Sequence, residues 1–395
     1  MTYAELLDRL LGARRFGVKL GLDRMEILLA RLGHPEQCLG TVIHVGGTNG
    51  KGSVVAMIAA LATAAGKRVA TYTSPHLSTL RERIVVDGAM AGEAEVVAAY
   101  ERVVAAGGDE LTFFEQITAI AFVMIAAANV DVTVLEVGLG GRLDATNVVA
   151  APVAVVTGVA MDHEAILGDT LEQIAAEKAG IFKPGQRIVI GSSGEPAATR
   201  FLVDAARLQS DHVELVAHGP ATNLLGAHQR TNTAIAVAAV AAAGLPVDST
   251  ALLHVTHPGR FERIDDLILD GAHNPHGARA LAAAFTELGI RPVLVLAVSA
   301  DKDVRAIVAA VAGSISAIVA TRYQQDRAME PAELARIANT PHIAPDLASA
   351  VALARTLGAP IAIAGSLFLV GEARVLYAGA PADPIRVSDP PATSR

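Results

Sequence analysis

A two-unit α/β fold is predicted for this chain: a P-loop domain with a mainly parallel sheet, then a smaller Rossmann-like α/β domain. Three observations predict it. Short apolar runs alternate with helical patterns along most of the 395 residues. A glycine-rich turn with one lysine joins the first such run to a helical one. Hydrophobic residues make up 52%, yet aromatics only 4% and tryptophan is absent, so the apolar content is mainly Ala, Val, Leu and Ile, suited to buried strands packed on small-residue helices.

In chain order, strands are expected at 41–45, 69–72, 132–137, 153–157 and 188–190, and then at 267–269, 293–298, 318–321 and 361–364. Helical patterns lie between most of them, for example 171–182 and 228–243. Continuous apolar strands bracketed by helices imply parallel sheets covered on both faces. The greasiest run, 119–128, is about half the length that spans a bilayer and reads as a buried helix. A division is expected near Thr256-His257-Pro258-Gly259, giving units 1–256 and 257–380. The segment 381–395 holds four prolines and few apolar residues and is expected to fray.

The segment Gly46-Gly47-Thr48-Asn49-Gly50-Lys51-Gly52-Ser53 carries the most chemistry. Glycines ahead of a helix N-terminus leave backbone N–H groups free to cradle phosphate, and a lysine adds a point charge for the outer phosphates. Gly47, Thr48, Asn49, Gly50, Lys51, Gly52 and Ser53 are therefore the candidate phosphate-binding loop. Its spacing is unusual: Gly52 stands where a Ser or Thr ordinarily follows the lysine, and the hydroxyl comes one residue later at Ser53. Glu136 closes a Val-rich strand, a costly place for a carboxylate without a partner. Mg²⁺ held together with phosphate is one such partner; Lys51 or a helix cap is the other. The adjacent Phe113-Phe114 pair at a helix start suits either a flat-ring pocket or the core.

Gly-Thr-Asn-Gly-Lys-Gly-Ser resembles the P-loop of the folate-side members of the Mur ligase superfamily, dihydrofolate synthase and folylpolyglutamate synthase. The resemblance continues in family order through Leu22-Asp23-Arg24-Met25, Ser74-Pro75-His76-Leu77, Thr112-Phe113-Phe114-Glu115, the run from Glu136 to Asn147, Asp162-His163, Glu177-Lys178-Ala179-Gly180, Gly226 to Asn232, Pro258-Gly259-Arg260-Phe261, Asp270 to Pro275, Asp301-Lys302-Asp303 and Gly365-Ser366. It implies an ATP- and Mg²⁺-dependent ligase that joins L-glutamate to dihydropteroate or a reduced folate through an acyl phosphate. It implies two magnesium sites drawn from Ser53, Ser74, Glu136, His163 and Lys178, the last carboxylated on its amine. It also implies a pterin pocket of Ser74, Thr112, Phe114, Asp144 and Ala145. Asn232 would lie near the adenine, Arg260 at the phosphates and Asp270 at the ribose, with His273 on the glutamate or nucleotide side. Lys51, Lys178 and His273 are the catalytic candidates. An amide ligase for another carboxylate, and a regulatory P-loop ATPase, are the alternative functions.

The net charge of −8 argues against a nucleic-acid-binding surface. One cysteine, Cys38, forbids an intrachain disulfide and fits a reducing compartment. The charged N-terminus lacks the basic-then-apolar form of a signal peptide. A cytoplasmic, monomeric enzyme with small-molecule substrates, and without a membrane or nucleic-acid partner, is the expectation.

Overall fold

The structure is a computed structural model that describes residues 1–13 and 21–389. Eight strands form the first sheet: β1 (Thr41–Gly46), β2 (Val69–Tyr72), β3 (Ile84–Val86), β4 (Ala89–Met90), β5 (Val132–Glu136), β6 (Val153–Val156), β7 (Arg187–Gly191) and β8 (Val213–Val216). Their order is β4-β3-β2-β5-β1-β6-β7-β8. The run from β2 to β8 is parallel, and β3 and β4 pair antiparallel at one edge. Every residue of β5 and β6 is buried, as continuous apolar runs require when both sheet faces are covered.

One face carries helix Lys51–Ala64 packed on helix Gln229–Ala242, over a core that includes Ile43, Val45, Val134 and Val155. Helix Phe113–Ala128 covers the other face together with helices Tyr3–Ala13 and Glu93–Ala105. Helix Phe113–Ala128 contains the expected 119–128 run and buries eleven of its sixteen residues. Among the described residues, no helix is long and apolar enough to cross a membrane.

A second sheet holds β9 (Glu262–Ile264), β10 (Leu267–Leu269), β11 (Val293–Leu296), β12 (Ala317–Ala320) and β13 (Ile361–Ala364), in the order β12-β11-β13-β10-β9. Only β9 is antiparallel in this sheet. The chain thus has the expected class, two mainly parallel sheets with helices between strands. β3, β4, β8 and β9 are additions to the strands read from sequence. In the first sheet β1 lies between β5 and β6, so strand order reverses there and the carboxyl ends of these strands open a crevice, the usual place for a ligand in open α/β sheets.

The expected fraying does not hold for residues 381–389. Asp383 accepts hydrogen bonds from Tyr3 Oη (3.0 Å), Thr79 Oγ1 (2.5 Å) and Leu80 N (2.7 Å), while Val387 and Ser388 are buried. Prolines limit backbone donors, but they leave Asp383 and Asp389 free to pair with groups on the first unit. Residues 390–395 lie outside the described ones.

Candidate active site

The P-loop leaves the end of β1 and enters helix Lys51–Ala64 with Gly50 in the left-handed region (φ 84°) as its N-cap. The loop is held from β6: Thr157 Oγ1 donates to Asn49 O at 2.6 Å, and Thr48 N donates to Gly158 O at 2.9 Å. Lys51 Nζ donates to Gly47 O at 3.2 Å and lies 4.0 Å from Glu136 Oε1. Lys178 Nζ, on helix Leu171–Ala179, donates to the same Gly47 oxygen at 3.2 Å. Two ammonium groups therefore converge on one carbonyl. Burial, and then the charge of Lys51, push Lys178 down to about 7, so at neutral pH a substantial fraction of it is a free amine.

Glu136 is 5% exposed at the end of β5 and accepts from Ser74 N at 3.3 Å. Burial raises its proton affinity even though Lys51 opposes this. Among the described residues its one ion-pair partner is Lys51, at 4.0 Å. Among the described residues no three His, Cys, Asp or Glu side chains cluster as a metal cage. Instead the hydroxyls of Ser53 and Ser74 stand with Glu136 on the cavity wall, a sparse set of hard oxygen donors. That set fits a divalent cation such as Mg²⁺, which keeps waters and substrate phosphate in its shell.

His163 follows β6 at φ 53°, and its Nε2 is 4.0 Å from Asp162 Oδ1. Burial pushes it down to about 4, against the attraction of Asp162. Asp162 also receives Lys302 Nζ at 2.9 Å and Asn274 Nδ2 at 3.1 Å, both from the second unit. Burial alone would raise Asp162, but the charges of His163 and Lys302 outweigh it and hold the carboxyl well below the usual range.

The second unit reaches the P-loop at further points. Asn49 bonds to Asn274 and His276, each at 3.2 Å. His257 Nδ1 lies 3.0 Å from Ser53 Oγ, and crowding by protein pushes this histidine down to about 3. His257 also explains the odd P-loop spelling, because a Cβ on Gly52 would sit 2.9 Å from its Cε1. Asp270 accepts from Phe261 N and Ala272 N, both at 2.9 Å, and shapes the turn that carries Arg260. His273 Nδ1 donates to Gly271 O at 2.7 Å, which leaves Nε2 as its free nitrogen.

At the other end Thr112 caps helix Phe113–Ala128 through reciprocal bonds with Glu115. Phe114 packs so closely on Gly138 that any side chain there would strike its ring. Asp144 caps the 3₁₀ turn Ala145–Val148 and accepts from Leu139 N at 2.9 Å and Thr146 Oγ1 at 2.5 Å. Burial raises its proton affinity, while these donors lower it. Behind it His44 Nε2 meets Thr146 Oγ1 at 2.8 Å. Asn232 donates to Gln229 at 2.9 Å and lies against Gly50.

All nineteen candidate residues from the sequence line one cavity of about 370 Å³ between the two sheets, charged near Lys51, Lys178, Arg260 and Lys302 and apolar near Phe114, Leu139 and Phe368. Sequence reading gave His257 no place in the site, quoted Asn274, Asp162 and Lys302 without individual roles, and did not foresee that Asp389 lines the same space. Asp162 stood next to a candidate; nothing local marks His257 or Asp389.

Fold and site together define a two-unit P-loop protein whose cavity joins the glycine-rich loop to an apolar wall of Phe114, Leu139 and Phe368. Residues 45–215 match the family described as Mur ligase middle domain, and residues 259–367 the Mur ligase, glutamate ligase domain. A Bacillus subtilis dihydrofolate synthase/folylpolyglutamate synthase is 37% identical over 349 residues, covering 76% of this chain and 80% of that protein. A Haloferax volcanii protein named probable bifunctional folylpolyglutamate synthase/dihydropteroate synthase is 35% identical over 95% of this chain but 51% of its own length, so this chain spans about half of that relative. The solved structure of Escherichia coli FolC in complex with DHPP and ADP superposes with a TM-score of 0.88 at 30% identity, covering 96% of this chain and 98% of that one. A bifunctional folylpolyglutamate synthase/dihydrofolate synthase with Mn, AMPPNP and L-glutamate bound gives 0.85 at 30% identity, covering 95% and 98%. The chain belongs to the dihydrofolate synthase/folylpolyglutamate synthase family of Mur ligases.

Proposed function

We propose that this chain is an ATP-dependent ligase that joins L-glutamate to the carboxylate of dihydropteroate, of a reduced folate, or of both. The observation that carries this reading is the shared cavity, with a phosphate loop at one end and Phe114, Asp144 and Ala145 at the other. The named relatives support the same substrates. The acceptor's carboxylate oxygen attacks the γ-phosphorus, ADP leaves, and an acyl phosphate remains. The glutamate amine then attacks the acyl carbon, phosphate leaves, and the amine loses a proton. His273 Nε2 is the base assigned to that proton, since burial keeps the ring neutral and Nδ1 is committed to Gly271 O.

Lys51 and the N–H groups of residues 47–53 hold the triphosphate and offset charge on the transferred phosphoryl group. Ser53, Ser74 and Glu136 would hold one magnesium, and His163 with Lys178 a second; bound there, the metal would neutralise phosphate charge. Lys178 suits carboxylation because a free amine is required: Nζ bonds to the carbon of CO₂, a proton is released, and a carbamate anion results. Arg260 and Asp270 face the nucleotide from across the proposed 256/257 hinge, with Asn232 at the base. Closure of the second unit would shield the acyl phosphate from water. A single exposed cysteine supports a reducing, cytoplasmic setting, and action as a monomer is part of the same reading.

The test is phosphate release with ATP, Mg²⁺ and L-glutamate, run with dihydropteroate and, separately, with tetrahydrofolate. Turnover with either supports the proposal and assigns the acceptor. Release with neither, despite ATP binding, refutes it in favour of another carboxylate or a regulatory ATPase. A ¹³C carbamate resonance after exposure to labelled bicarbonate, absent in Lys178→Ala, checks the modification.

A further inference from the structure

The segment 381–389 follows helix Leu367–Ala378 of the second unit and returns to the first unit. It is pinned twice on the way. Ser78 Oγ donates to Pro381 O at 2.7 Å and Asp383 N donates to Ser78 O at 3.1 Å; Asp383 then takes the bonds from Tyr3, Thr79 and Leu80 described above. At its end Asp389 meets Arg83, whose side chain is 0% exposed, through Nη2 to Oδ2 at 2.6 Å and Nη1 to Oδ1 at 3.3 Å.

Arg83 is not an isolated cation. Its Nε donates to His76 Nδ1 at 2.9 Å, and its guanidinium lies 5.6 Å from the centre of the Phe113 ring. His76 belongs to the loop Ser74-Pro75-His76-Leu77, and Ser74 and Pro75 line the large cavity. The same loop is pressed by helix Leu367–Ala378, where Gly371 leaves no room for a side chain against Leu77 O. A buried guanidinium keeps its place only if its donors are satisfied, and among the described residues Asp389 supplies the carboxylate that does so, with two bonds. Asp389 is itself 30% exposed and lines the cavity.

We propose that residues 381–389 form a strap completing the acceptor end of the cavity, with Asp389 positioning the Ser74 loop through Arg83 and His76. Asp389 is a positioning residue: it acts on the acceptor pocket through the brace and leaves the phosphate loop alone. The effect on the acceptor rests on the function proposed above; the brace does not.

Two measurements on the full chain test it. In Asp389→Asn, amide exchange across residues 74–80 without substrates should quicken about tenfold, the worth of roughly one charge-assisted hydrogen bond. In the same variant, assayed at saturating Mg²⁺ because Ser74 is also a proposed magnesium ligand, the KM for the acceptor should rise about tenfold while the KM for ATP stays within about twofold. Asp389→Glu should restore much of both, and Arg386→Ala, in the same segment but paired with Glu372 on the surface, should change neither. Unchanged exchange at 74–80 overturns the brace. Acceptor and ATP KM rising together, with a lower Tm, would reduce Asp389 to a purely structural role and overturn the positioning claim. If the wild type turns over neither acceptor, the proposed function fails, and the exchange comparison still decides the strap.

Discussion

Gly52 and His257 offer a compensation test. Gly52 is the second residue of helix Lys51–Ala64, where alanine is ordinarily favoured over glycine by about 1 kcal/mol. Here a Cβ would sit 2.9 Å from His257 Cε1 and 3.0 Å from Nε2, closer than carbon atoms tolerate. Overpacking of this kind costs about 1–3 kcal/mol, so Gly52→Ala alone should be neutral to destabilising by about 2 kcal/mol. His257→Ala alone removes the 3.0 Å contact to Ser53 Oγ and should cost about 1 kcal/mol. In the double variant the ring is gone, the clash disappears and the helical preference returns. The coupling energy should therefore be about 1–3 kcal/mol in favour of the double variant. Urea denaturation of the four proteins measures it, and nucleotide affinity should follow the same pattern because both residues touch the P-loop. Additive effects, within about 0.5 kcal/mol, would refute the idea that His257 dictates glycine at this position.

Three further outcomes are expected. Arg260→Ala should fold normally, with an unchanged Tm, yet ligate about 10²–10³-fold more slowly, the range seen when one charge-stabilising donor is lost; unchanged turnover would remove Arg260 from the cleft chemistry. Lys178 is held near 7 against 10.5 when unfolded, so the unfolded chain binds more protons between those values and its burial costs stability most at or below pH 7. Lys178→Met should accordingly raise Tm most near pH 7 and below, with the gain fading by about pH 10; a pH-independent gain would contradict the shift. Asp162→Asn leaves Lys302, 12% exposed, without its 2.9 Å partner and should cost about 3–5 kcal/mol, and adding Lys302→Met should recover much of that loss in thermal denaturation.

The parallel strands were legible because their burial on both faces leaves continuous runs such as Val153-Ala154-Val155-Val156, which little else in a soluble fold requires. β3 and β4 are too short to show a period. Their hairpin did leave a signal in Asp87-Gly88, both at positive φ (49° and 79°), the pair that suits a tight turn between strands. The candidate residues were legible because each sits in a short local motif, after a strand for Lys51, at a strand end for Glu136 and at a helix start for Thr112 and Phe114. What escaped was nonlocal: His257 meets Ser53 across 204 residues and Asp389 meets Arg83 across 306, and no spacing rule spans such gaps. The proline-rich tail misled for a related reason, since its composition reports on backbone propensity and is silent about where two carboxylates find partners.

The bonds Asn49 to Asn274 and His276, Ser53 to His257, and Asp162 to Lys302 all cross the cleft. Each uses a group beside the P-loop, so on the function proposed above a nucleotide that takes up one of these groups exchanges partners, and its affinity is the difference between bonds gained and bonds surrendered. Weakening a crossing bond can therefore tighten binding of ATP while loosening the closure that protects a reactive intermediate. On that proposed function a better nucleotide binder and a better ligase are different selection targets, and a screen on affinity alone would select against catalysis.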